Sequence, residues 1–138
     1  PAPAPAPAAT SSAVTGDFRD TGYFFTRLDA VRRQRSGLVE VTLTMRNDQN
    51  VRRSTWNNYN SWTVIGSDGL SYKHDGNAYG RDGTDRMTTS VYLEKDGTAP
   101  LTYVYKMPYG VNPVRLVVRD YYGKPLTEFD LSSALARP

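Results

Sequence analysis

The sequence predicts an all-β protein, an antiparallel β-sandwich of about seven strands. Three observations support this fold class. Several runs alternate apolar and polar residues with the period of two that a half-buried strand requires. No segment of useful length has the period of an amphipathic helix. Polar, glycine-containing turn sequences separate the runs at the short intervals typical of sandwiches.

Residues 1–16 differ from the rest of the chain, since Pro and Ala alternate over the first eight positions. Such a segment favours an extended, polyproline-like backbone and offers little apolar surface to a core. We expect 1–16 to be a disordered Pro/Ala-rich linker that acts as a spacer, with an inert tail as the alternative. The remaining 17–138 then form one domain, as the length of 138 residues allows.

The first half of the domain contains four predicted strands. Residues 23–31 are rich in aromatic and branched side chains. Residues 38–47 alternate without a break, and their apolar face consists of Val39, Val41, Leu43 and Met45. Residues 61–66 and 70–73 flank a Ser-Asp-Gly sequence that suits a tight hairpin.

The second half contains predicted strands over 86–95, 101–107 and 114–120, and 127–135 is either an edge strand or a single helical turn. The strand over 101–107 places four residues on one face: Leu101, Tyr103, Tyr105 and Met107. The strand over 114–120 places Val114, Leu116 and Val118 opposite Arg115, Val117 and Arg119.

Several residues have predicted structural roles. Trp62 is the expected central aromatic of the core, and Tyr103 could anchor a loop through its hydroxyl. The basic run over 32–35 is expected to be a solvated turn between the first two strands. Tyr121 and Tyr122 are expected either to pack the tail against the domain or to extend an exposed edge.

The composition excludes some functions. The chain has no cysteine, so disulfides, thiolate metal sites and a cysteine nucleophile are ruled out. The net charge of +3 is too small to indicate nucleic-acid binding. Residues 27–53 nevertheless hold seven Arg against three acids, a patch that could meet phosphate, lipid headgroups or an acidic protein. No apolar stretch approaches the ~18 residues of a membrane span.

Three stretches resemble a known family: LVEVTLTMRNDQN (38–50), WTVIGSDGLSYKHD (62–75) and EKDGTAPLTYVYKMPYGVNPVRLVVRD (94–120). Together they are similar to a widespread family of secreted bacterial immunoglobulin-like domains of unknown function. Its members are often lipoproteins, and its fold is shared with a mycobacterial immunoprotective antigen. The resemblance implies an immunoglobulin-like sandwich and an extracytoplasmic location, whether secreted, periplasmic or on the cell surface as a lipoprotein. It implies no reaction, and any contact with a membrane would be through a lipid anchor only.

The stretch KHDGNAYGRDGTD (73–85) has partial calcium-loop spacing. A calcium loop places oxygen ligands at its first and third positions, a Gly at the sixth and a carboxylate at the twelfth. Here Arg86 occupies the twelfth position. The ligands of a calcium hypothesis are therefore Asp75, Asn77, Asp82 and Asp85.

Turns explain the same stretch more simply. Asp-Gly occurs four times, each time beside an apparent strand end, at Asp68, Asp75, Asp82 and Asp96. We therefore favour turns and expect neither a metal nor another cofactor. His74 is the only histidine, and with no Cys or second His it cannot complete a zinc site. We expect it to be an exposed histidine in a turn, and the protein not to be an enzyme.

The segment NDQNVRRSTWNNYN (47–60) is the best candidate for a binding surface, because long loops on rigid sandwiches often carry function. Its candidate binding residues are Arg52, Arg53, Trp56, Asn58 and Tyr59. Alternatively, Trp56 folds back to cover one end of the sandwich.

We therefore expect a non-catalytic, extracytoplasmic binding domain that recognises an envelope or extracellular protein through loops at one end of the sandwich. Nucleic acid is not an expected partner. One alternative is a carbohydrate- or peptidoglycan-binding module that uses aromatic side chains, namely Trp56, Tyr59, Tyr72 and Tyr79. The others are a calcium-stabilised adhesin-like domain and a hydrolase built around His74.

Overall fold

The computed structural model describes residues 17–35, 37–54, 60–79 and 92–136, with only the backbone described for 75–79 and 136. All regular structure in these ranges is β-strand. Within them no helix is long and apolar enough to cross a membrane. Seven strands have six or more residues: β2 (Phe25–Arg33), β3 (Leu38–Arg46), β5 (Ser61–Gly66), β6 (Ser71–Tyr79), β8 (Thr98–Lys106), β9 (Pro113–Arg119) and β10 (Pro125–Asp130). Four have two residues: β1 (Arg19–Asp20), β4 (Arg53–Ser54), β7 (Tyr92–Leu93) and β11 (Leu135–Ala136).

The long strands form two layers. The first layer contains, side by side, β2, β3, β8 and the second part of β6. The second layer begins with the first part of β6 and continues with β5, β9 and β10. Neighbouring long strands are antiparallel throughout. Four strands facing three in this order is the arrangement of constant-type immunoglobulin domains. The predicted all-β sandwich of about seven strands is thus confirmed.

Strand β6 joins the two layers along one side of the sandwich. Up to Lys73 it pairs with β5, and from His74 onward it pairs with β8, with a bulge between His74 and Gly76. A bulge bends a strand and increases its twist, which lets one strand serve both sheets. The prediction that this strand ends at 73 and that Asp75-Gly76 forms a turn at its end is therefore wrong, since the strand continues to Tyr79.

The opposite side is bridged by the two ends of the described chain. After β10 a short turn leads to β11, which lies parallel to β2 with Leu135 beside Val31. From β1, the guanidinium of Arg19 donates to the carbonyl of Glu128 in β10 and lies 5.2 Å from the ring centre of Phe129. These contacts occupy edge positions that would otherwise offer free backbone groups to another strand.

The predicted inward faces form the core. The four apolar residues predicted for β3 have no exposed surface, and the four predicted around β8 are at most 5% exposed. Trp62 is 2% exposed and its ring centre lies 5.4 Å from that of Tyr103, which confirms it as a core aromatic. Val117 faces away from this core as predicted, yet it is buried on the outer side of the second sheet, where it pairs with Thr63.

A buried hydrogen bond connects the two sheets through the core. The Tyr105 hydroxyl in β8 donates to the backbone carbonyl of Trp62 in β5, at 3.0 Å. Burial raises the pKa of Tyr105, so the hydroxyl stays protonated and remains a donor. Tyr103, predicted to anchor a loop, is buried in the same aromatic cluster.

The first two residues of the basic run over 32–35 belong to strand β2, so the run is only in part a turn. Strand β2 continues to Arg33 because its register with β3 holds as far as the Arg33–Val39 pair. Arg32 forms a 3.2 Å ion pair with Glu40. The half-buried guanidinium of Arg33 donates to three carbonyls in neighbouring turns, those of Gly37, Met107 and Val111.

Tyr105→Phe is expected to destabilise the fold by about 1–2 kcal/mol, because the carbonyl of Trp62 then stays buried without its donor. Denaturant unfolding of the variant and the natural chain measures this difference. Tyr121→Phe is the matched control, since that ring is 75% exposed and its change should stay within about 0.5 kcal/mol. Equal unfolding free energies for the two variants would contradict the proposed role of the Tyr105 hydroxyl.

Candidate functional site

Strand register brings several connecting segments to one end of the sandwich, which we call the loop end. Phe25 at the start of β2 lies opposite Arg46 at the end of β3, which pairs with Thr98 at the start of β8. In the second sheet Ser61 at the start of β5 lies opposite Arg119 at the end of β9. The loop end therefore holds the turn over 21–24, the described parts of 47–60, the segment 92–97 and the hairpin turn over 120–124. The turns over 34–37, 67–70 and 107–112 lie at the opposite end.

Asn47 fastens two segments of the loop end together. Its side chain is fully buried, and its amide group donates to the carbonyls of Val51 and Leu93, each at 2.8 Å. Its side-chain oxygen accepts from the backbone N–H of Gln49 at 3.0 Å. All the polar atoms of this buried amide are thus used to shape the loop after β3 and attach it to β7.

Arg53 lies in β4, which pairs with β7 at the loop end. Its guanidinium donates to the carbonyl of Tyr23 at 2.8 Å and lies 4.4 Å from the centre of the Tyr23 ring. A cation over an aromatic face combined with a hydrogen bond is a strong positional restraint. Arg53 therefore holds the turn before β2 against the loop, and its charge is already engaged inside the protein.

Arg52 faces solvent beside an exposed aromatic ring. Its guanidinium carbon lies 4.2 Å from the centre of the Tyr92 ring, and Tyr92 is 61% exposed. The Nε of Arg52 lies 3.6 Å from a carboxylate oxygen of Glu94. The structure therefore assembles an accessible arginine–tyrosine stack from two segments that lie far apart in sequence.

The other sequence-predicted site residues lie either outside the described residues or in β6. Trp56, Asn58 and Tyr59 lie outside the described residues, and so do Asp82 and Asp85. Of the calcium hypothesis, Asp75 and Asn77 have extended backbone within β6, and their side chains are not described. The described side chains contain no group of three His, Asp or Glu arranged to hold a metal ion.

The hairpin turn between β9 and β10 presents two tyrosines to solvent. Tyr121 is 75% and Tyr122 89% exposed, so neither packs against the domain, and that alternative was wrong. Their ring centres are 5.3 Å apart and the ring planes meet at 85°. The turn itself is tightly held, because the Asp120 carboxylate accepts from the N–H groups of Tyr122 and Lys124, each at 2.9 Å.

The loop end is one continuous surface. Gly22, with a φ of +98°, lies in the turn over 21–24, where an added Cβ would come within 3.0 Å of Leu126 and 3.1 Å of the Asn60 side chain. The Asn60 amide in turn donates to the carbonyl of Thr21. The turn thus connects the loop after β3 to the β9–β10 hairpin. Five of the seven exposed large hydrophobic residues described lie at this end: Val51, Tyr92, Tyr121, Tyr122 and Leu126.

Sequence reasoning missed Tyr23 and Tyr92, and it left the exposure of the tyrosine pair as one of two alternatives. For the pair, a signal was present in DYYG (120–123), two adjacent aromatics in an Asp-to-Gly turn between predicted strands. For Tyr23 and Tyr92 no local signal existed. Their role comes from arginines that are distant in sequence.

The arginine-rich stretch over 27–53 does not form a free basic patch. Four of its seven arginines pair with carboxylates, in Arg27–Asp29, Arg32–Glu40, Arg46–Asp48 and Arg52–Glu94. The hydrogen bond from Arg46 lowers the pKa of Asp48, and the same contact raises the pKa of Arg46. Arg33 and Arg53 instead donate to backbone carbonyls. Most of this charge is thus used within the domain.

Tyr72 lies at the end opposite the loop end, and His74 lies in a strand and not in a turn. The Tyr72 hydroxyl donates to Asp68 at 2.6 Å in the hairpin between β5 and β6, at the opposite end. The bond lowers the pKa of Asp68. His74 is exposed as predicted, but it lies in β6 and not in a turn. One side of its ring lies on Tyr103, with centres 4.6 Å apart, and the loss of water on that side lowers the pKa of His74.

Known proteins share the architecture of this chain but little of its sequence. The chain matches no protein-family model and no curated protein sequence. It is similar to the secreted protein MPT63 of Mycobacterium tuberculosis, with a TM-score of 0.56 and 9% identity over 87% of this chain and 93% of that one. The chain has the β-sandwich fold of MPT63. An uncharacterized β-sandwich protein of Clostridium difficile 630 is also similar, with a TM-score of 0.53 and 11% identity over 82% of this chain and 89% of that one.

These two similarities confirm the fold that the resemblance implied. At 9% and 11% identity they extend to the fold alone.

Asn47→Ala is expected to destabilise the protein by about 2–3 kcal/mol, because the buried carbonyl of Leu93, the carbonyl of Val51 and the N–H of Gln49 all lose their partner. Denaturant unfolding measures the loss, and amide hydrogen exchange should become faster in the segments that Asn47 joins. Asn50→Ala, at an exposed position in the same loop, is the control and should change stability by no more than about 0.5 kcal/mol. Similar effects from the two variants would contradict the role of Asn47.

His74 is expected to make folding stability depend on pH. Its pKa in the folded protein is below its ordinary value of 6.5, so the unfolded chain takes up the proton more readily. The contribution of neutral His74 to the free energy of unfolding is therefore complete above pH 6.5. It is lost as the pH falls toward the lower pKa that His74 has in the folded protein. His74→Phe keeps an aromatic ring on Tyr103 but cannot titrate. Unfolding at about pH 7.5 and about pH 5 should show a smaller loss for this variant than for the natural chain; equal losses would refute the assignment.

Proposed function

We propose that this protein is a non-catalytic, extracytoplasmic binding domain that recognises a protein partner through the loop end. The observation that carries the proposal is the position of the exposed hydrophobic residues, five of the seven described being at that end. Exposed apolar side chains concentrated in one region of a soluble domain indicate an interaction surface.

The chemistry of the loop end suits a protein partner. Tyrosine and arginine contribute most of the binding energy in many protein interfaces, because each combines a large contact area with hydrogen-bonding groups. The Arg52–Tyr92 stack and the Tyr121–Tyr122 pair present both residue types on supports fixed by Asn47 and by the turn at 120–124. Rigid supports reduce the entropy lost on binding.

The direction of the chain near its N-terminal side also supports the proposal. Strand β1 is antiparallel to β2 and pairs near its start, with Asp20 opposite Phe25 and Arg19 opposite Thr26. Followed toward lower numbers, the chain therefore runs away from the loop end. Between Asp20 and Arg19 the chain thus leaves the loop end, so this segment does not cover the surface that a partner would reach.

The proposal includes an extracytoplasmic location. The protein is secreted, periplasmic or attached to the cell surface as a lipoprotein. The support for this location is the fold shared with MPT63, which is a secreted protein, together with the proline-rich segment. A glycan-binding module that uses Tyr72 together with Trp56 is less favoured, because Tyr72 lies at the opposite end of the sandwich.

Replacing both members of the exposed stack, by Arg52→Glu with Tyr92→Ser, is expected to abolish capture of the partner from an envelope extract. The reason is that the change reverses a charge and removes an aromatic surface without touching the core. Affinity capture on immobilised protein followed by mass spectrometry measures the outcome. Arg53 is left intact, since its bond to Tyr23 supports the fold.

The matched control changes the same kinds of group at the opposite end, with Arg35→Glu and Leu70→Ser, both at exposed positions. This control should retain every partner. The proposal fails if the loop-end variant captures the same proteins as the natural chain, or if only the opposite-end variant loses them. Thermal unfolding of both variants verifies that any loss reflects binding and not unfolding.

A further inference from the structure

We propose that the Tyr121–Tyr122 pair is a binding site for an extended proline-rich segment, and that its occupant is the Pro/Ala-alternating segment over residues 1–8 of the same chain. The inference goes beyond the proposed partner recognition. It concerns the hairpin turn over 120–124 and does not require an external partner.

The tyrosine pair has the geometry that such a ligand needs. The two rings make a T-shaped contact at 85° with centres 5.3 Å apart, and their exposure of 75% and 89% leaves ring surface open to a ligand. Polyproline II chains bind to aromatic-lined grooves, where their proline rings lie against aromatic faces. Both hydroxyls lack a hydrogen-bond acceptor among the described residues. They are therefore available to the backbone carbonyls of a polyproline II chain, which makes no internal hydrogen bonds.

The site is preformed. Besides the two bonds to the Asp120 carboxylate, the Asp120 carbonyl accepts from the N–H of Gly123 at 3.0 Å, and the Asp120 N–H donates to Lys124 at 2.9 Å. Gly123 adopts a φ of +88°, which suits glycine. The turn that carries the rings is thus fixed before any ligand arrives, and a stiff ligand costs little further entropy.

The sequence supplies a segment of the matching chemistry. Residues 1–8 are PAPAPAPA, which favours the polyproline II backbone, and each alanine between the prolines leaves a free N–H and a small side chain. Few other stretches of this chain are as rich in proline. Four of its nine prolines fall within these eight positions.

The connection to the domain places this segment within reach of the hairpin. Arg19, near the start of the described chain, contacts Glu128 and Phe129 in β10, the strand that follows the hairpin turn. Sixteen residues precede Asp17, and fully extended in polyproline II form they would span roughly 50 Å. This length is sufficient for residues 1–8 to reach the tyrosines.

An occupant from the same chain is favoured over an external one by concentration. A tethered segment has an effective concentration in the millimolar range when its tether spans the distance. A single pair of rings buries a small area, so its contact with a proline-rich chain is weak. Tethering makes such a weak contact populated, whereas a second copy at micromolar concentration would rarely bind.

Paramagnetic labelling tests the proposal on the full chain. The natural sequence has no cysteine, so Ala4→Cys gives a single position for a nitroxide label. The label is expected to broaden the backbone amide resonances of Gly123 and Lys124 in a nitrogen-15 spectrum. This broadening should be lost in the Tyr121→Ser, Tyr122→Ser double variant. In the labelled chain that keeps both tyrosines, adding the free peptide PAPAPAPA should reduce the broadening.

Two controls make the outcomes distinct. Tyr109→Ser removes an exposed tyrosine at the opposite end and should leave the broadening unchanged. Mixing isotope-labelled chains without nitroxide and unlabelled chains with it should give no broadening. Broadening that also appears in the mixture overturns the same-chain assignment in favour of a second copy. No broadening in any sample, or broadening that persists without the two tyrosines, overturns the site. None of these results depends on the capture of an external partner, so failure here leaves that proposal standing on its own test.

Discussion

The structure depends on the burial of one aromatic cluster between its two sheets. Trp62 from the second sheet packs on Tyr103 from the first, and the Tyr105 hydroxyl donates to the Trp62 carbonyl across the interior. Burial of these large rings removes much apolar surface from water, while the hydrogen bond fixes one sheet relative to the other. Immunoglobulin domains often place a tryptophan on the same strand against a disulfide. In this cysteine-free chain tyrosines occupy that part of the core.

The sandwich is closed on both sides by segments that connect its two sheets. Strand β6 crosses from one sheet to the other at its bulge, and on the far side Arg19 and β11 connect the sheets. The edge positions that these contacts occupy are closed to pairing with other chains. Strand register places four connecting segments at the loop end, namely 21–24, the described parts of 47–60, 92–97 and 120–124.

At the loop end, short polar side chains give shape and aromatic side chains give contact area. Asn47 and Asp120 each bind several backbone groups, so the segments they hold are ordered without a core of their own. Arginine appears there in two roles. Arg53 is engaged with Tyr23 and supports the fold, whereas Arg52 lies on an exposed ring. Two neighbouring arginines with the same charge thus differ in function because of their partners.

The sequence by itself determined the strands and which of their faces are buried, because alternation is a local property of the chain: the inward residues of β3 and β8 and the core position of Trp62 follow from it directly. It also determined that 47–60 is a long connection, and within it Arg52 and Arg53 are the candidate site residues whose positions are described. Only the tertiary structure decided that β6 changes sheets and that Tyr121 and Tyr122 face solvent. It alone also placed Arg52 over the Tyr92 ring and Arg53 over the Tyr23 ring. These features depend on which distant strands pair and in what register, and no local pattern in the sequence encodes that pairing.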